Sequence, residues 1–264
     1  MLQLGSFSAC VTIDDRELEQ HQVDISKGGT KATCWIASEA GKHFAVKWKD
    51  NSQRRQHSTS GCVKLDGVDC GRRIISPGHH NSAKRSYFST GPSSVRPYMF
   101  SHLSLTDDDG FLDAHVSPKL GTIKIELRRV IIKPHRKDTF SRKPPEDQVV
   151  HEKMKKLATH CVKFGDEIKR APKVGTSVSR IDKKPIFTFL FQYKPQALLE
   201  ADGIAEAPVT NKRKHVKVEP GQKPEVIEID DSEDERTEPP RRKKIKKEHK
   251  RGSLLIPGEV IDLT

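Results

Sequence analysis

The chain has 264 residues, of which 33% are hydrophobic, and 48 Lys and Arg against 36 Asp and Glu give it a net charge of +12. The low apolar content predicts one folded domain joined to sequence outside any core, and the charge favours polyanionic partners or acidic protein surfaces over small apolar ligands. No run approaches the roughly 18 apolar residues of a membrane span and no signal-peptide pattern opens the chain, so we expect a soluble intracellular protein with no membrane partner.

Apolar residues that alternate with polar ones predict half-buried β-strands over much of the first 200 residues. In chain order, the clearest patterns are residues 43–48, 122–132 and 187–193. Shorter candidate strands are residues 9–13, 22–25, 32–37, 63–65, 73–75 and 98–105, and the turn signals are Gly28-Gly29, Asp66-Gly67 and Asp109-Gly110. Many short strands joined by turns predict a mainly β domain, an antiparallel and jelly-roll-like β-sandwich.

One segment breaks the two-residue period. Val150, Met154, Leu157 and Cys161 recur at spacings of four, three and four, which is the spacing of one face of an α-helix. We therefore expect one amphipathic helix over residues 146–159, laid against the β core.

The composition changes after Leu199, where aromatic residues disappear and charged residues gather into blocks. Such sequence cannot bury enough apolar surface to offset the entropy of ordering. Residues 1–204 are therefore predicted to form the β domain, and residues 205–264 a disordered, charged C-terminal tail. The tail holds 14 basic and 13 acidic residues, which leaves +11 of the net charge on the domain. The most basic part of the domain runs from Lys133 to Lys184.

Several short segments of the domain resemble an uncharacterised domain family that is widespread in mushroom-forming fungi. They are Cys34-Trp35-Ile36-Ala37-Ser38, residues 63–67, His160 with Phe164-Gly165, and residues 189–193 before Ala197-Leu198-Leu199 and Gly203-Ile204. In that family a β-rich N-terminal domain precedes a variable charged tail. The resemblance implies the same domain boundary here, and it implies no activity.

Two peptides in the tail resemble the SUMO-interacting motif, in which a β-branched segment adds as a strand to the edge of the sheet of the small protein modifier SUMO. Val and Ile suit this mode because they favour extended backbone and fill an apolar groove, while the carboxylates face its basic rim. The alternative is that both peptides are chance apolar islands in charged sequence. Because the match occurs twice, we favour SUMO or SUMO-modified proteins as partners. The motif residues are Val226, Ile227, Ile229, Asp230 and Asp231 in the first peptide, and Val260, Ile261, Asp262 and Leu263 in the second.

Candidate modification sites accompany these motifs. Ser232 precedes three acidic residues, a pattern typical of acid-directed kinase sites, and its phosphorylation would add about 1.5 to 2 negative charges beside the first motif. Lys217 and Lys246 each occupy the lysine of the hydrophobic-Lys-any-Glu pattern for SUMO attachment. This pattern is common by chance in Lys-rich sequence. Lys246 lies inside a basic run, so Lys217, in a segment kept extended by Pro220, is the better candidate.

Two basic clusters in the tail are typical of nuclear localisation signals, which bind a nuclear import receptor, or of nucleic-acid patches. The alternative is a solvated charge run that only keeps the tail soluble. The two clusters and the acidic, proline-flanked spacer between them favour nuclear localisation. The clusters are Lys212, Arg213 and Lys214, and then Arg241, Arg242, Lys243, Lys244, Lys246 and Lys247 within residues 241–251.

Common signatures of catalytic, metal and cofactor sites are absent from the sequence. It contains no CxxC, HExxH, GxGxxG, GxxxxGK[ST] or GxSxG pattern, so we expect no catalytic residues, no enzyme activity and no cofactor. Cys62 and Cys70 with His79 and His80 come nearest to a metal cluster, but their spacing matches no common site, and no metal is predicted. The cysteines number five, an odd count, which predicts reduced and mostly buried thiols rather than disulfides.

These observations predict a nuclear, non-enzymatic adaptor whose tail recruits SUMO or SUMO-modified proteins, with no ligand assigned to the β domain. The alternative partner is nucleic acid: a basic chromatin- or RNA-associated protein would bind nucleic acid backbone non-specifically through residues 133–184. Aromatic residues make up only 6% of the chain and most alternate into the predicted core, so no stacking platform supports sequence-specific binding.

Overall fold

The computed structural model describes residues 1–109, 117–133, 141–145, 147, 149–151, 159–172 and 176–206. Its strands are β1 (Leu2–Leu4), β2 (Phe7–Ile13), β3 (Arg16–Glu17), β4 (His21–Ile25), β5 (Lys31–Ala37), β6 (Phe44–Asp50), β7 (Ser58–Leu65), β8 (Val68–Ile75), β9 (Ser82–Arg85), β10 (Tyr87–Ser89), β11 (Ser94–His102), β12 (Ser104–Thr106), β13 (Thr122–Ile132), β14 (Val149–His151), β15 (His160–Phe164), β16 (Ile168–Lys169), β17 (Val178–Arg180) and β18 (Phe187–Lys194), and its helix is α1 (Gln196–Ala201). The prediction of a mainly β domain is confirmed. No helix in the described ranges is long and apolar enough to cross a membrane.

The strands form two main sheets and two smaller groups. The larger sheet has the order β4-β5-β18-β13-β7-β8, with β17 also paired to β13, and the second has the order β1-β2-β6-β9, with β3 paired to β2. A third group joins β10, β11, β15 and β16, and β12 pairs with β14. The strand pairings are mostly antiparallel, as predicted, and two of those described, β5-β18 and β12-β14, are parallel.

One apolar core contains side chains from both main sheets. Ile123, Ile125 and Leu127 of β13 are fully buried while their neighbours are half-buried, which confirms the alternation predicted for this strand. Trp48 of β6 is fully buried in the same core, and its indole ring lies over Gly61 of β7 in the other sheet. Burial of one face of each sheet against the other is the arrangement expected of a sandwich.

The helix predicted over residues 146–159 is wrong where the structure describes this segment. Residues 149–151 form strand β14, which pairs in parallel with β12, and Cys161 lies in β15. Val150 is buried against Leu103 and Cys161 in a small cluster of its own. Adjacent β-branched residues favour extended backbone, and the hydrogen bonds to β12 outweigh a helical spacing carried by four residues. Residues 152–158 lie outside the described ranges.

The α-helix that the structure does contain, α1, follows the last strand. Pro195 has no backbone N–H to continue the ladder of β18, and its φ of −52° is compatible with a helix start. Leu199 is the buried residue of this helix. The helix ends at Ala201. Gly203, whose φ is +67°, then reverses the chain, and the N–H of Ala205 donates a hydrogen bond to the carbonyl of Leu199. The rest of the predicted tail, from residue 207, lies outside the described residues.

A buried carboxylate joins the β7–β8 hairpin to three other strands of the domain. Asp66 occupies the turn between β7 and β8, where the φ values of Asp66 and Gly67 are +48° and +89°, as a type I′ hairpin requires. The Asp66 carboxylate accepts hydrogen bonds from the Tyr193 hydroxyl at 2.8 and 2.7 Å, the Val162 N–H at 2.8 Å and the Thr122 N–H at 3.1 Å. It therefore ties the hairpin to β18, β15 and the start of β13.

The cysteines are free thiols, as predicted, and four of the five are buried. Burial raises the pKa of Cys10 to about 11 and that of Cys34 to about 12. Cys62 is half-buried, and burial together with the adjacent Asp69 carboxylate raises its pKa to about 11. Since the thiolate is the reactive form, none of these three cysteines has the lowered pKa of a reactive nucleophile.

Candidate functional site

A cleft of about 600 Å³ opens beside β8, β9 and β10. Its lining includes Arg72 and Arg73 from β8, Arg85 from β9, Tyr87 from β10, and Arg170, which follows β16. We call it the arginine cleft. These residues meet because β8 contacts both β9 and β10, and because β11 carries β10 and β16 as pairing partners.

The Tyr87 ring gathers three of the arginines. The guanidinium carbon of Arg170 lies 4.5 Å from the centroid of the ring, and those of Arg73 and Arg85 lie 5.9 and 5.8 Å from it. Arg73 also donates a hydrogen bond from Nη2 to the Tyr87 hydroxyl oxygen. A ring quadrupole attracts a guanidinium without neutralising its charge. Tyr87 therefore holds three positive charges close together and leaves them uncancelled.

Arg85 is the most deeply buried of the four arginines, with 7% of its surface exposed. Its Nε donates to the Tyr98 hydroxyl oxygen at 3.3 Å, its Nη1 to the Arg72 carbonyl at 3.0 Å and its Nη2 to the Tyr87 carbonyl at 3.2 Å. These three acceptors are neutral. A buried cation that is bonded only to neutral acceptors carries a desolvation cost that an anion in the cleft would offset.

A glycine leaves room for the Arg85 side chain. Gly71 of β8 has a φ of +90°, and a Cβ at this position would lie 3.1 Å from Nη2 of Arg85 and 3.3 Å from its Cζ. The pairing of β7 with β8 shifts register between Cys62 and Lys64, opposite this part of β8. The irregular strand and its glycine thus let the guanidinium approach the backbone closely.

A neighbouring cleft differs from the arginine cleft in that acidic residues line it beside the basic ones. It shares Arg72, but Asp69 and Glu126 line it too. Glu126 pairs with Lys124 at 2.8 Å and with Lys64 at 3.1 Å; burial opposes the ionised form, yet these hydrogen bonds lower the pKa of Glu126. The described lining of the arginine cleft contains no Asp or Glu. Its positive charge is therefore available to a bound anion.

Ser38 and His160 form a pair that resembles part of a catalytic dyad. Ser38 Oγ lies 2.8 Å from His160 Nδ1, and burial together with the nearby His102 lowers the pKa of His160. However, only 3% of Ser38 and 6% of His160 is exposed, so neither is open to a substrate. The hydrogen bond joins the end of β5 to the start of β15, and we assign it a structural role.

The predicted site residues fall into two groups. The SUMO-binding residues 226–231 and 260–263, the acceptor lysines 217 and 246, Ser232, and the basic clusters 212–214 and 241–247 lie outside the described residues, so these assignments stay predictions. The Cys and His residues considered as a metal cluster are described. Cys62 donates its thiol to Asp69, Cys70 is buried, and the carbonyls of His79 and His80 accept hydrogen bonds from Arg55. Across the described part of the chain, no group of three or more His, Cys, Asp or Glu residues is arranged to hold a metal ion.

Sequence reasoning missed most of the arginine cleft. The basic stretch 133–184 contributes Arg170, but Arg72, Arg73 and Arg85 come from outside it. One signal was present in the sequence: Arg72 directly precedes the strand predicted over residues 73–75 and Arg73 opens it, so in extended backbone these two charged side chains lie on opposite faces.

The model of a family described as Domain of unknown function (DUF7918) matches residues 6–208. No curated protein and no solved structure matches the chain.

Proposed function

We propose that this chain, which belongs to the Domain of unknown function (DUF7918) family, is a nuclear, non-enzymatic adaptor that binds SUMO or SUMO-modified proteins through its C-terminal tail. The observation that carries the proposal is the pair of motifs in the tail, residues 226–231 and 260–263, each a short β-branched segment beside carboxylates. The segments resembling a family of mushroom-forming fungi support a fungal source as a further part of the proposal.

The β domain supplies the other half of the adaptor. Its arginine cleft collects positive charge with no carboxylate among the described lining residues, which favours an anionic group of a second partner. The burial of Ser38 and the raised pKa values of Cys10 and Cys34 support a binding role over nucleophilic catalysis. The tail and the domain would then bind two different partners.

Each motif should bind SUMO weakly, and the two should bind a SUMO chain more tightly together. A motif offers only three apolar anchors, and ordering a flexible segment offsets much of the gain, so we expect single-site dissociation constants on the order of micromolar or weaker. About 30 residues separate the motifs, and a flexible linker of that length reaches roughly 30 Å, which lets both engage neighbouring units of a chain. Avidity should then tighten chain binding by about tenfold or more.

The test is a calorimetric titration of the full chain with monomeric and chained SUMO. Ile227 and Ile229 are replaced by Ala in one variant, Ile261 and Leu263 in a second, and all four in a third. The matched control replaces Val216 and Val218, two apolar tail residues outside the motifs. We expect the control to bind like the parent, each motif variant to lose the avidity, and the third variant to lose binding. Retained chain binding by the third variant would refute the adaptor proposal.

Nuclear localisation should depend on the two basic clusters. Replacing Lys212, Arg213 and Lys214 together with the basic residues 241–244, 246 and 247 by Gln removes the charges that an import receptor recognises. A fluorescent fusion of this variant should move from the nucleus to the cytoplasm, measured as the ratio of the two intensities. The control exchanges Lys and Arg within the same clusters, which keeps the charge, and should stay nuclear. A neutralised variant that stays nuclear would assign import to the domain or to a bound partner.

A further inference from the structure

Four arginines in one cleft point to phosphate as the anionic group. A guanidinium presents N–H donors in a planar fork that matches phosphate oxygens in a bidentate way, and it keeps its charge when partly desolvated. Arg170 and Arg73 are held against Tyr87, and Arg85 is fixed by three hydrogen bonds. The cleft therefore offers pre-positioned donors whose side-chain entropy is already largely lost, which favours binding.

The size and lining of the cleft favour a ligand larger than a lone phosphate ion. Its volume of about 600 Å³ falls in the range of pockets that enclose drug-sized molecules. Ile74, Pro92 and Val95 line it beside the arginines and offer apolar surface to a sugar or a base. A nucleotide unit combines these two chemistries, an anionic phosphate and a less polar remainder.

The charge of the domain favours a polymer of such units. Residues 1–204 carry +11 of the net charge, and a field of this kind raises the local concentration of a polyanion and its rate of association. A phosphopeptide presents one phosphate to four arginines, whereas a nucleic-acid strand presents phosphates in succession. Arg72 lines both the arginine cleft and its neighbour. The other charged residues that line the neighbour are Lys64, Arg128 and Arg180 with Asp69 and Glu126, so a strand leaving the arginine cleft would meet a surface whose basic residues outnumber its acidic ones.

We propose that the arginine cleft binds the phosphodiester backbone of single-stranded nucleic acid. The proposal rests on the function proposed above, in which the domain holds an anionic group of a partner. A concave cleft admits one strand, whereas a duplex is read by an element that protrudes into its grooves. Tyr87 already stacks with Arg170, so it is not an open platform for bases, and the binding is directed to the backbone with little sequence preference.

The test measures fluorescence anisotropy of a labelled oligothymidylate or oligouridylate of twelve nucleotides. The protein is the full chain with both basic tail clusters neutralised, so that the tail does not mask the domain. The test variant replaces Arg72 and Arg170 by Gln. Arg85 is left in place because it is buried, and the Arg72 carbonyl that Arg85 contacts is unchanged by the substitution. The matched control replaces Arg16 and Lys27, two exposed residues outside the cleft, and removes the same charge.

We expect the cleft variant to bind at least about tenfold more weakly than the parent, and the control to change by less than about threefold. The slope of log K against log salt should fall by about 1.4 in the cleft variant, which is the loss of two phosphate contacts to a single strand. Thermal unfolding of both variants should match the parent, which would separate lost contacts from lost structure.

Three outcomes would overturn the inference, and comparing the variants and the ligands distinguishes these outcomes from one another. Equal weakening by the cleft variant and the control would mean general attraction without a site. A phosphoserine peptide that binds more tightly than the oligonucleotide, with the same dependence on Arg72 and Arg170, would make the ligand a phosphopeptide. Failure of the oligonucleotide, the phosphopeptide and inorganic tripolyphosphate alike would remove the anion site altogether. SUMO titration of the same proteins tests the tail motifs separately. Failure of SUMO binding through the tail can therefore be distinguished from failure of nucleic-acid binding at the cleft.

Discussion

Replacing Gly61 by Ala should destabilise the β domain by about 3 kcal/mol, because the new methyl group has no space beneath Trp48. A Cβ on Gly61 would lie 2.5 Å from Cε2 of the Trp48 indole, 2.6 Å from Cζ2 and 2.7 Å from Nε1. Trp48 is fully buried, so its ring can move only by displacing other core residues. Urea denaturation of the full chain should show a lower midpoint with an unchanged m-value.

Two comparisons distinguish the steric clash with Trp48 from the general effect of replacing a glycine by alanine. At Gly28 the nearest atom to an added Cβ is Thr30 Oγ1 at 3.9 Å, so Gly28→Ala should change the midpoint little. Replacing Trp48 by Leu removes the ring that causes the clash. In a double-mutant cycle, Gly61→Ala should therefore cost much less in the Trp48→Leu background. Equal costs in both backgrounds would show that the ring does not cause the destabilisation.

The strands with strong alternation could be predicted from the sequence because burial acts on each of them locally. In residues 122–127 every second side chain is buried, and the sequence shows that period directly. The contact between Trp48 and Gly61 could not be predicted in this way. It depends on which sheets face each other, and a glycine in a strand pattern does not say which ring covers it.

Residues 149–151 show how a local pattern can mislead. Val150 and Cys161 share a cluster because two strands, β14 and β15, bring them together, and not because one helix does. The apolar spacing of four, three and four residues is present in the sequence, but residues 149–151 form a strand because they pair with β12. Tertiary hydrogen bonds of this kind leave no trace in a single segment.

The arginine cleft escaped prediction for a similar reason. Its charged residues come from β8, β9 and the segment after β16, and only the arrangement of these strands places them around Tyr87. Counting charge along the chain located residues 133–184, which supply one of the four arginines. The tail motifs were visible because each is a contiguous peptide whose recognition as an added strand needs no fold around it.

Asp66 should make the stability of the domain depend on pH. Burial raises the pKa of its carboxyl from 3.8 to about 6, against the hydrogen bonds from Tyr193 and the backbone N–H groups, which lower it. The folded state therefore binds the proton more tightly than the unfolded chain. This contribution to stability is complete below about pH 4 and is lost as the pH rises through about 6. Because the pKa rises from 3.8 to about 6, the protonated Asp66 carboxyl contributes about 3 kcal/mol to the free energy of unfolding.

The variant Asp66→Asn isolates this contribution, because Asn is similar in shape and does not titrate. The difference in unfolding free energy between the parent and this variant should be largest below about pH 4 and should fall from that plateau by about 3 kcal/mol by pH 7. Urea denaturation at several pH values measures it, and subtracting the two proteins removes the titration of all other groups. Asp24→Asn, at an exposed position on β4, is the matched control for the removal of one carboxylate. Parallel curves for the parent and Asp66→Asn would mean that the burial of the Asp66 carboxyl does not raise its pKa, since the hydrogen bonds from Tyr193, Val162 and Thr122 would then fully offset its desolvation.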